Sequence, residues 1–261
     1  MKSIVITGAT RGIGYGMAHE FLQRGHQVTI CGRSQQSVDK AVQSLSEHHD
    51  ASHIIGQPCD VSQYEDVQAL WDTAIAQFNQ VDIWINNAGV DTKRETLDVL
   101  DLAAIDTTLD VNLRGVFYGS RVALQGMMTQ GHGMIYNMEG LGSEGRMSKG
   151  ALIYGTTKYG MTYFTKALAK EMQDTPVKIL LLSPGMVVTD LLLGDYEGED
   201  LERAKRFFNI LADKVETVTP WLVEQILQND GSRERIAWLT RPKIFARFLS
   251  TPFRKRDLFS D

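Results

Sequence analysis

Residues Thr7 to Gly14 read TGATRGIG, closing the apolar run Ile4-Val5-Ile6 and opening a helical stretch expected from about Tyr15 to Arg24. Glycines at 8, 12 and 14 let the backbone turn tightly and come close to a ligand. The helix that follows would aim free N–H groups and a partial positive charge at that ligand, an arrangement that suits a pyrophosphate. A glycine cluster on its own is an ordinary strand-to-helix turn. This one follows the first strand and begins a strand-helix-strand unit, which is the setting of a dinucleotide site. Gly8, Thr10, Arg11, Gly12, Ile13 and Gly14 are therefore the first candidate cofactor-binding residues.

The same rhythm of short apolar runs and helical stretches continues outward from this turn. The runs are QVTICGR (27–33), IIGQPCDV (54–61), VDIWINNAG (81–89), GMIYNM (133–138) and VKILLLSPG (177–185). Their near-continuous apolarity predicts strands buried on both faces. The alternation predicts a Rossmann-type, doubly wound α/β fold: a parallel sheet with right-handed crossovers and helices on both sides. At 261 residues the chain suits one domain spanning 1–261, since single cores stop growing near roughly 250–300 residues. The rhythm changes after Gly185. Residues from about 186 to 218 read as an insertion with an acidic loop and a helix, beyond a strand's carboxyl end, where open α/β sheets bind ligands. Thr219 is expected as the N-cap of the next helix, with Pro220 in its first turn.

Composition narrows the function classes. With 43% hydrophobic and 23% charged residues the chain has material for a sizeable core. The first four-residue apolar run is too short for a signal-peptide core or a membrane span, which predicts a cytoplasmic protein with no transmembrane segment. Cys31 and Cys59 are expected as reduced, buried strand residues. His48, His49 and His53 read as a polar turn, so no metal is expected. The net charge of −5 conceals a basic stretch, Arg233 to Arg256, with eight Lys/Arg against Glu234 alone, which leaves the remainder at −12. That acidic body argues against nucleic acid as a partner. Within the basic tail (about 233–261), Ile244, Phe245, Phe248 and Leu249 form an apolar stripe beside Lys243 and Arg247. It is expected to pack on its own domain or a neighbouring subunit with the bases solvated; docking on a membrane surface is the alternative.

Which nucleotide binds can be argued from charge. An acidic residue after the second strand would hold a ribose 2′-OH and repel a 2′-phosphate. Here that strand ends Cys31-Gly32-Arg33, and Arg11 stands in the glycine turn, so NADP(H) is expected. Tyr154 and Lys158, four apart on a helix, share one face. A nearby ammonium would stabilise the phenolate and lower the tyrosine's pKa from about 10, fitting it for proton exchange with a carbonyl oxygen.

The G-x-x-x-G-x-G spacing, NNAG at 86–89 and the Tyr154/Lys158 pair, in this order, resemble the short-chain dehydrogenase/reductase family over nearly the whole chain. The resemblance implies a sheet of about seven parallel strands, assembly into homodimers or homotetramers, and a small-molecule carbonyl substrate. It also implies that Asp60 and Val61 contact the adenine, and that Asn87, Ala88 and Gly89 border the adenosine half. Lys158 would hold the nicotinamide ribose, Asn112 would anchor a proton-relay water, and Pro184, Gly185, Val187 and Thr189 would border the nicotinamide, with Thr189 on its carboxamide. The family places a serine about thirteen residues before the tyrosine, and counting back from Tyr154 gives Leu141. Ser143 is the nearest hydroxyl. Ser143 reaching in, a backbone N–H or Glu139 in the serine's place, and lost activity are the open readings, taken in that order.

Residues 134–261 resemble more narrowly the chlorophyll b reductases of plants, through NMEGLGSEG, YGTTKYG, SPGMVVTDLLL, RFFNILAD, WLTRPKIFARFL and RKRDLF. That branch reduces a ring-bound formyl group with NADPH. Leu191 to Leu193 and Phe207, Phe208, Ile210 and Leu211 could form an apolar lid over such a substrate or serve as packing beneath it. A carbonyl reductase of unrelated substrate, or a non-catalytic NADP(H)-binding sensor, are the alternatives.

Overall fold

The computed structural model describes residues 1–194, 196–251 and 256–259; Arg254 and Lys255 of the basic tail lie outside the described residues. The chain runs β1 (Ser3–Ile6), α1 (Gly12–Gln23), β2 (Gln27–Gly32), α2 (Gln35–Ser46), β3 (Ile54–Pro58), α3 (Tyr64–Phe78), β4 (Ile83–Asn86), α4 (Leu102–Leu109), α5 (Gly115–Gln130) and β5 (Gly133–Met138). It continues through α6 (Leu152–Glu171), β6 (Val177–Ser183), α7 (Asp190–Leu193), α8 (Gly198–Leu211), α9 (Val215–Gln228), β7 (Arg235–Ala237) and α10 (Arg241–Ser250). Among the described residues seven strands form one sheet in the order β3-β2-β1-β4-β5-β6-β7, every neighbouring pair parallel. This is the Rossmann-type sheet expected from the sequence.

Burial on both faces explains the strands. One face packs Ile4, Ile6, Ile30 and Leu182 against Met17 and Phe21 of α1 and Leu222 and Ile226 of α9. The other packs Val5, Trp84 and Ile135 against Leu70 and Trp71 of α3 and Val122 and Met127 of α5. Strand order reverses between β1 and β4, so the loops after these two strands diverge and leave a crevice at the sheet's carboxyl edge. Thr7 joins the two ends: its Oγ1 accepts from the N–H groups of Asn87 (3.0 Å) and Ala88 (3.1 Å). Gly8 has φ +63°, and a Cβ there would lie 2.7 Å from Ala88 Cα, so a side chain is excluded twice over.

Several boundaries differ from the sequence reading. Helix α1 starts at Gly12, one turn before Tyr15, because the glycines are themselves the helical entry. Helix α9 starts at Val215, so Thr219 is not an N-cap and Pro220 lies in the helix interior. The Thr219 hydroxyl donates instead to the Val215 carbonyl at 3.0 Å. Cys31 lies within β2 and Cys59 one residue past β3; both are free and buried. His49 meets His19 across a ring-nitrogen contact of 3.0 Å, and no group of side chains suited to a metal occurs among the described residues. No helix among them is long and apolar enough to cross a membrane.

The basic tail is arranged against expectation. It supplies the seventh strand, β7, and then α10, from which Lys243 stacks over Trp238 and Arg247 turns inward while Phe245, Phe248 and Leu249 are exposed. Arg247 Nη2 and Arg256 Nη2 both reach the buried Asp213 carboxylate, at 2.6 and 2.7 Å, and Trp238 Nε1 joins them at 2.6 Å. The arginines also donate to the carbonyls of Ile210, Leu211 and Ala212, which end α8. A cation at a helix C-terminus is favourable, and these three residues offer otherwise unpaired acceptors, so the bases are drawn in.

Candidate active site

One cleft of about 2420 Å³ runs along the sheet's carboxyl edge. A small ligand fills roughly 300–1,000 Å³, so this cleft has room for a dinucleotide and a second molecule. Every candidate catalytic or cofactor-binding residue named from the sequence lines it except Asn112; of the apolar lid candidates, Leu193, Ile210 and Leu211 do not. At one end the turn Gly8 to Gly14 delivers the start of α1, where Arg11 provides no side-chain cap to the first N–H groups. Uncapped donors beside Gly8, where the lack of a side chain lets the turn pack on Ala88, form a cradle fitted to a dinucleotide's phosphates. Arg11 pairs with Asp190 across the cleft at 3.1 Å, both side chains largely exposed. Arg33 is exposed after β2, and Ser34, Ser37 and Lys40 line the same end. Sequence reading missed these three; Ser37 and Lys40 stand three apart on α2 directly after Arg33, a spacing that puts them on one face. The Asp60 carboxylate accepts from Ser62 N–H (3.0 Å) and Oγ (2.7 Å), fixing the turn after β3.

At the other end stand Tyr154 and Lys158 on α6. Lys158 is buried and its Nζ donates to the Met138 carbonyl at 3.1 Å, with the Tyr154 ring centroid 5.6 Å away. Burial lowers the Lys158 pKa to about 8, opposed by the carboxylates of Glu139 and Asp91. The phenol of Tyr154 is pushed well above its ordinary value, first by burial and then by Asp91. This is opposite to the lowering expected from the lysine, because burial of the phenol outweighs it. A raised phenol remains protonated at neutral pH, the form an acid must have.

Asn112 lies in a single π-helical turn, Asp110–Arg114, between α4 and α5. Such turns swell a helix and recur at functional sites. The wide turn carries the Asn112 side chain under the cleft, where Oδ1 accepts from Val90 N–H at 2.9 Å and Nδ2 donates to Val90 C=O (2.8 Å) and Thr157 Oγ1 (3.1 Å). The carboxamide thus ties the loop after β4 to α6. Thr189 caps α7, its Oγ1 accepting from Leu192 N–H at 3.3 Å.

The position facing the Tyr154 hydroxyl is Gly140, not Leu141: a Cβ added at Gly140 would press on Tyr154 Oη, and Lys158 Cε would lie 3.2 Å away. Ser143 is buried, its Oγ accepting from Gly140 N–H at 3.1 Å and lying 3.5 Å from the Lys158 carbonyl. Ser143 thereby closes the turn that carries Gly140. Glu139 points away from Tyr154 to Arg235 of β7, with Nε at 2.7 Å. Sequence reading found neither Asp91 nor Arg235, whose roles depend on contacts far apart in the chain.

Residues 2–199 match the family model of the short chain dehydrogenases. The chain belongs to that family. It is an oxidoreductase of the short-chain dehydrogenase type, whose members bind a nicotinamide cofactor. It is 39% identical over 259 residues to chlorophyll(ide) b reductase NOL, chloroplastic, of Arabidopsis thaliana, an alignment covering 95% of this chain and 73% of that protein. The closed form of serine dehydrogenase complexed with NADP+ superposes with a TM-score of 0.78 at 25% identity, covering 91% of this chain and 94% of that one. A 3-ketoacyl-(acyl-carrier-protein) reductase from Brucella melitensis complexed with NADH gives the same TM-score at 24% identity, covering 90% and 95%. Both nucleotides occur on this short-chain dehydrogenase fold, so the choice between them falls to the residues after β2.

Proposed function

We propose that this short-chain dehydrogenase is an NADPH-dependent reductase of aldehydes or ketones on large apolar molecules, with the formyl group of chlorophyll(ide) b as the favoured substrate. The observation that carries the reading is the meeting, in one cleft, of an uncapped glycine-rich helix start with Tyr154 and buried Lys158. Gly8, Thr10, Gly12, Ile13 and Gly14 would hold the pyrophosphate, and Arg11 and Arg33, with Lys40, a 2′-phosphate. Asp60, Val61 and Asn87 to Gly89 would border the adenosine, and Pro184, Gly185, Val187 and Thr189 the nicotinamide. Bound there, the dinucleotide supplies a hydride to the carbonyl carbon. Tyr154 gives its phenolic proton to the carbonyl oxygen, and the Lys158 ammonium stabilises the phenolate left behind. Asn112 acts by holding Val90 and Thr157 in place for this exchange, and Ser143 by closing the turn at Gly140.

The substrate assignment draws on the relationship to chlorophyll(ide) b reductase NOL and on the cleft's far wall. Met186, Leu191, Leu192, Phe207 and Phe208 line that wall, on α7, α8 and the segment leading to them. As part of the same proposal the chain works as one domain, assembles as a homodimer or homotetramer and acts in the cytoplasm, and exposed Phe245, Phe248 and Leu249 touch a membrane surface peripherally. The test is oxidation of NADPH with chlorophyllide b, the hydroxymethyl product being followed by absorbance. Turnover is expected in the native chain and none in Tyr154→Phe, which should still bind NADPH. Full activity of Tyr154→Phe would remove the proposed acid. Tight nucleotide binding without turnover on any apolar aldehyde would favour a non-catalytic sensor.

A further inference from the structure

The turn that takes the place of the usual serine begins and ends on a carboxylate, and one arginine holds both. Arg235 Nε meets Glu139 Oε2 at 2.7 Å and its Nη1 meets Glu144 Oε1 at 2.7 Å. Glu139 is only 2% exposed at its side chain. Burying a carboxylate costs several kcal/mol unless it is paired and hydrogen-bonded, so Glu139 depends on Arg235. A guanidinium suits the task, because its planar fork can serve two carboxylates at once. Between the two acids the turn closes on itself, Ser143 N–H donating to the Gly140 carbonyl at 3.1 Å and Ser143 Oγ accepting from Gly140 N–H at 3.1 Å. The result is a strap from β7 that presses Gly140 against the Tyr154 hydroxyl.

From this geometry we infer that Glu139 and Arg235 are positioning residues for the reacting pair: Arg235 anchors the turn facing Tyr154, and the Glu139 carboxylate is a fixed negative charge one residue past Met138, whose carbonyl accepts from the Lys158 ammonium. The inference rests on the reductase reading given above. The charged groups around Lys158 are Glu139 after β5, Asp91 after β4 and Tyr154 on its own helix, with Arg235 and Glu144 behind Glu139. Burial lowers the Lys158 titration; Glu139, followed by Asp91, opposes that lowering. Removing the Glu139 charge should therefore move the titration of Lys158 to lower pH, so that less ammonium remains at neutral pH to support the phenolate.

The experiment is NMR titration of the intact chain carrying lysine labelled with ¹³C at Cε, with the Lys158 signal assigned through Lys158→Arg. Glu139→Gln is expected to lower the Lys158 midpoint and to move the alkaline limb of the NADPH-dependent rate with it, while Glu139→Asp restores most of both. An unchanged Lys158 midpoint in folded Glu139→Gln overturns the charge role. Arg235→Lys, which keeps the charge and loses the fork, covers the case in which Glu139→Gln fails to fold. It should lower kcat about tenfold with KM for NADPH nearly constant, since small misplacement of a reacting group costs on the order of tenfold to a hundredfold. Native kcat in Arg235→Lys overturns the anchoring role. The NMR midpoint needs no turnover, so it stands even where Tyr154→Phe remains active and the reductase reading fails.

Discussion

At Gly140 the absence of a side chain has a direct consequence. A methyl group there would press on Tyr154 Oη, and Tyr154 has little room to retreat, with Lys158 buried beside it. Gly140→Ala should therefore push the phenol out of line, with kcat falling about tenfold or more and the nucleotide Kd unchanged, as expected when only reacting geometry is lost. Steady-state kinetics together with fluorescence titration of NADPH check this; native kcat would show that the phenol can move without penalty. Arg33 permits a second prediction at this scale. Arg33→Asp replaces a guanidinium, exposed at the cleft end that Ser34, Ser37 and Lys40 also line, with a carboxylate that repels a 2′-phosphate and accepts from a 2′-OH. The ratio of kcat/KM for NADPH to that for NADH should fall at least about tenfold, an effect of one charge-assisted contact. An unchanged ratio counts against NADP(H).

Among the elements, the π-helical turn Asp110–Arg114 and α6 are joined by a side-chain hydrogen bond. Asn112 satisfies both the N–H and the C=O of Val90 and reaches Thr157 on α6. Asn112→Ala would leave two polar backbone groups unpaired in a half-buried place, at about 1–3 kcal/mol for each group that water cannot reach. Urea unfolding should show a loss of at least about 2 kcal/mol, and kcat should fall with it because Thr157 lies between Tyr154 and Lys158. A stable but inactive Asn112→Ala would instead assign this residue a purely chemical part. Strands β1 to β6 and the glycine turn were legible in the sequence, because burial on both faces forces continuous apolar runs and close approach forces glycine; β7, only three residues long and inside the basic tail, was not. The boundaries of α1 and α9 were not. A proline inside a helix reads like a proline at its start when the packing of α9 on α1 is unseen. The π-helical turn left no trace either, since its residues are ordinary helix formers.

For the molecule as a whole, what the sequence hid was contact between distant segments. The basic tail reads as a solvated, surface-seeking segment only while its partner is unknown. In the fold the partner is Asp213, 34 residues before Arg247 and just past the end of α8. The same holds for Arg235 and Glu139, 96 residues apart, and for Gly140, which counting from Tyr154 placed one residue late. Charge summed along the chain could not separate exposed bases from bases that hold two segments together. Asp213 is 5% exposed at its side chain and Arg247 15%, so their pair is shielded from solvent and salt. Breaking a buried pair from one side leaves the other charge stranded, at a cost of about 3 kcal/mol or more. Arg247→Met should therefore lower the unfolding free energy by about that amount, somewhat less because Arg256 and Trp238 still reach Asp213. Because Phe208 on α8 packs with Leu192, Leu193 and Phe259 in a small cluster of its own, the loosened part should be α7 and α8 rather than the sheet. The expected signature is faster amide exchange across 198–211, a raised KM for the apolar carbonyl and an unchanged Kd for NADPH, whose cradle at the start of α1 is elsewhere. Uniformly faster exchange through β1, β4 and β5 would mean that the tail supports the whole fold and not α8 alone.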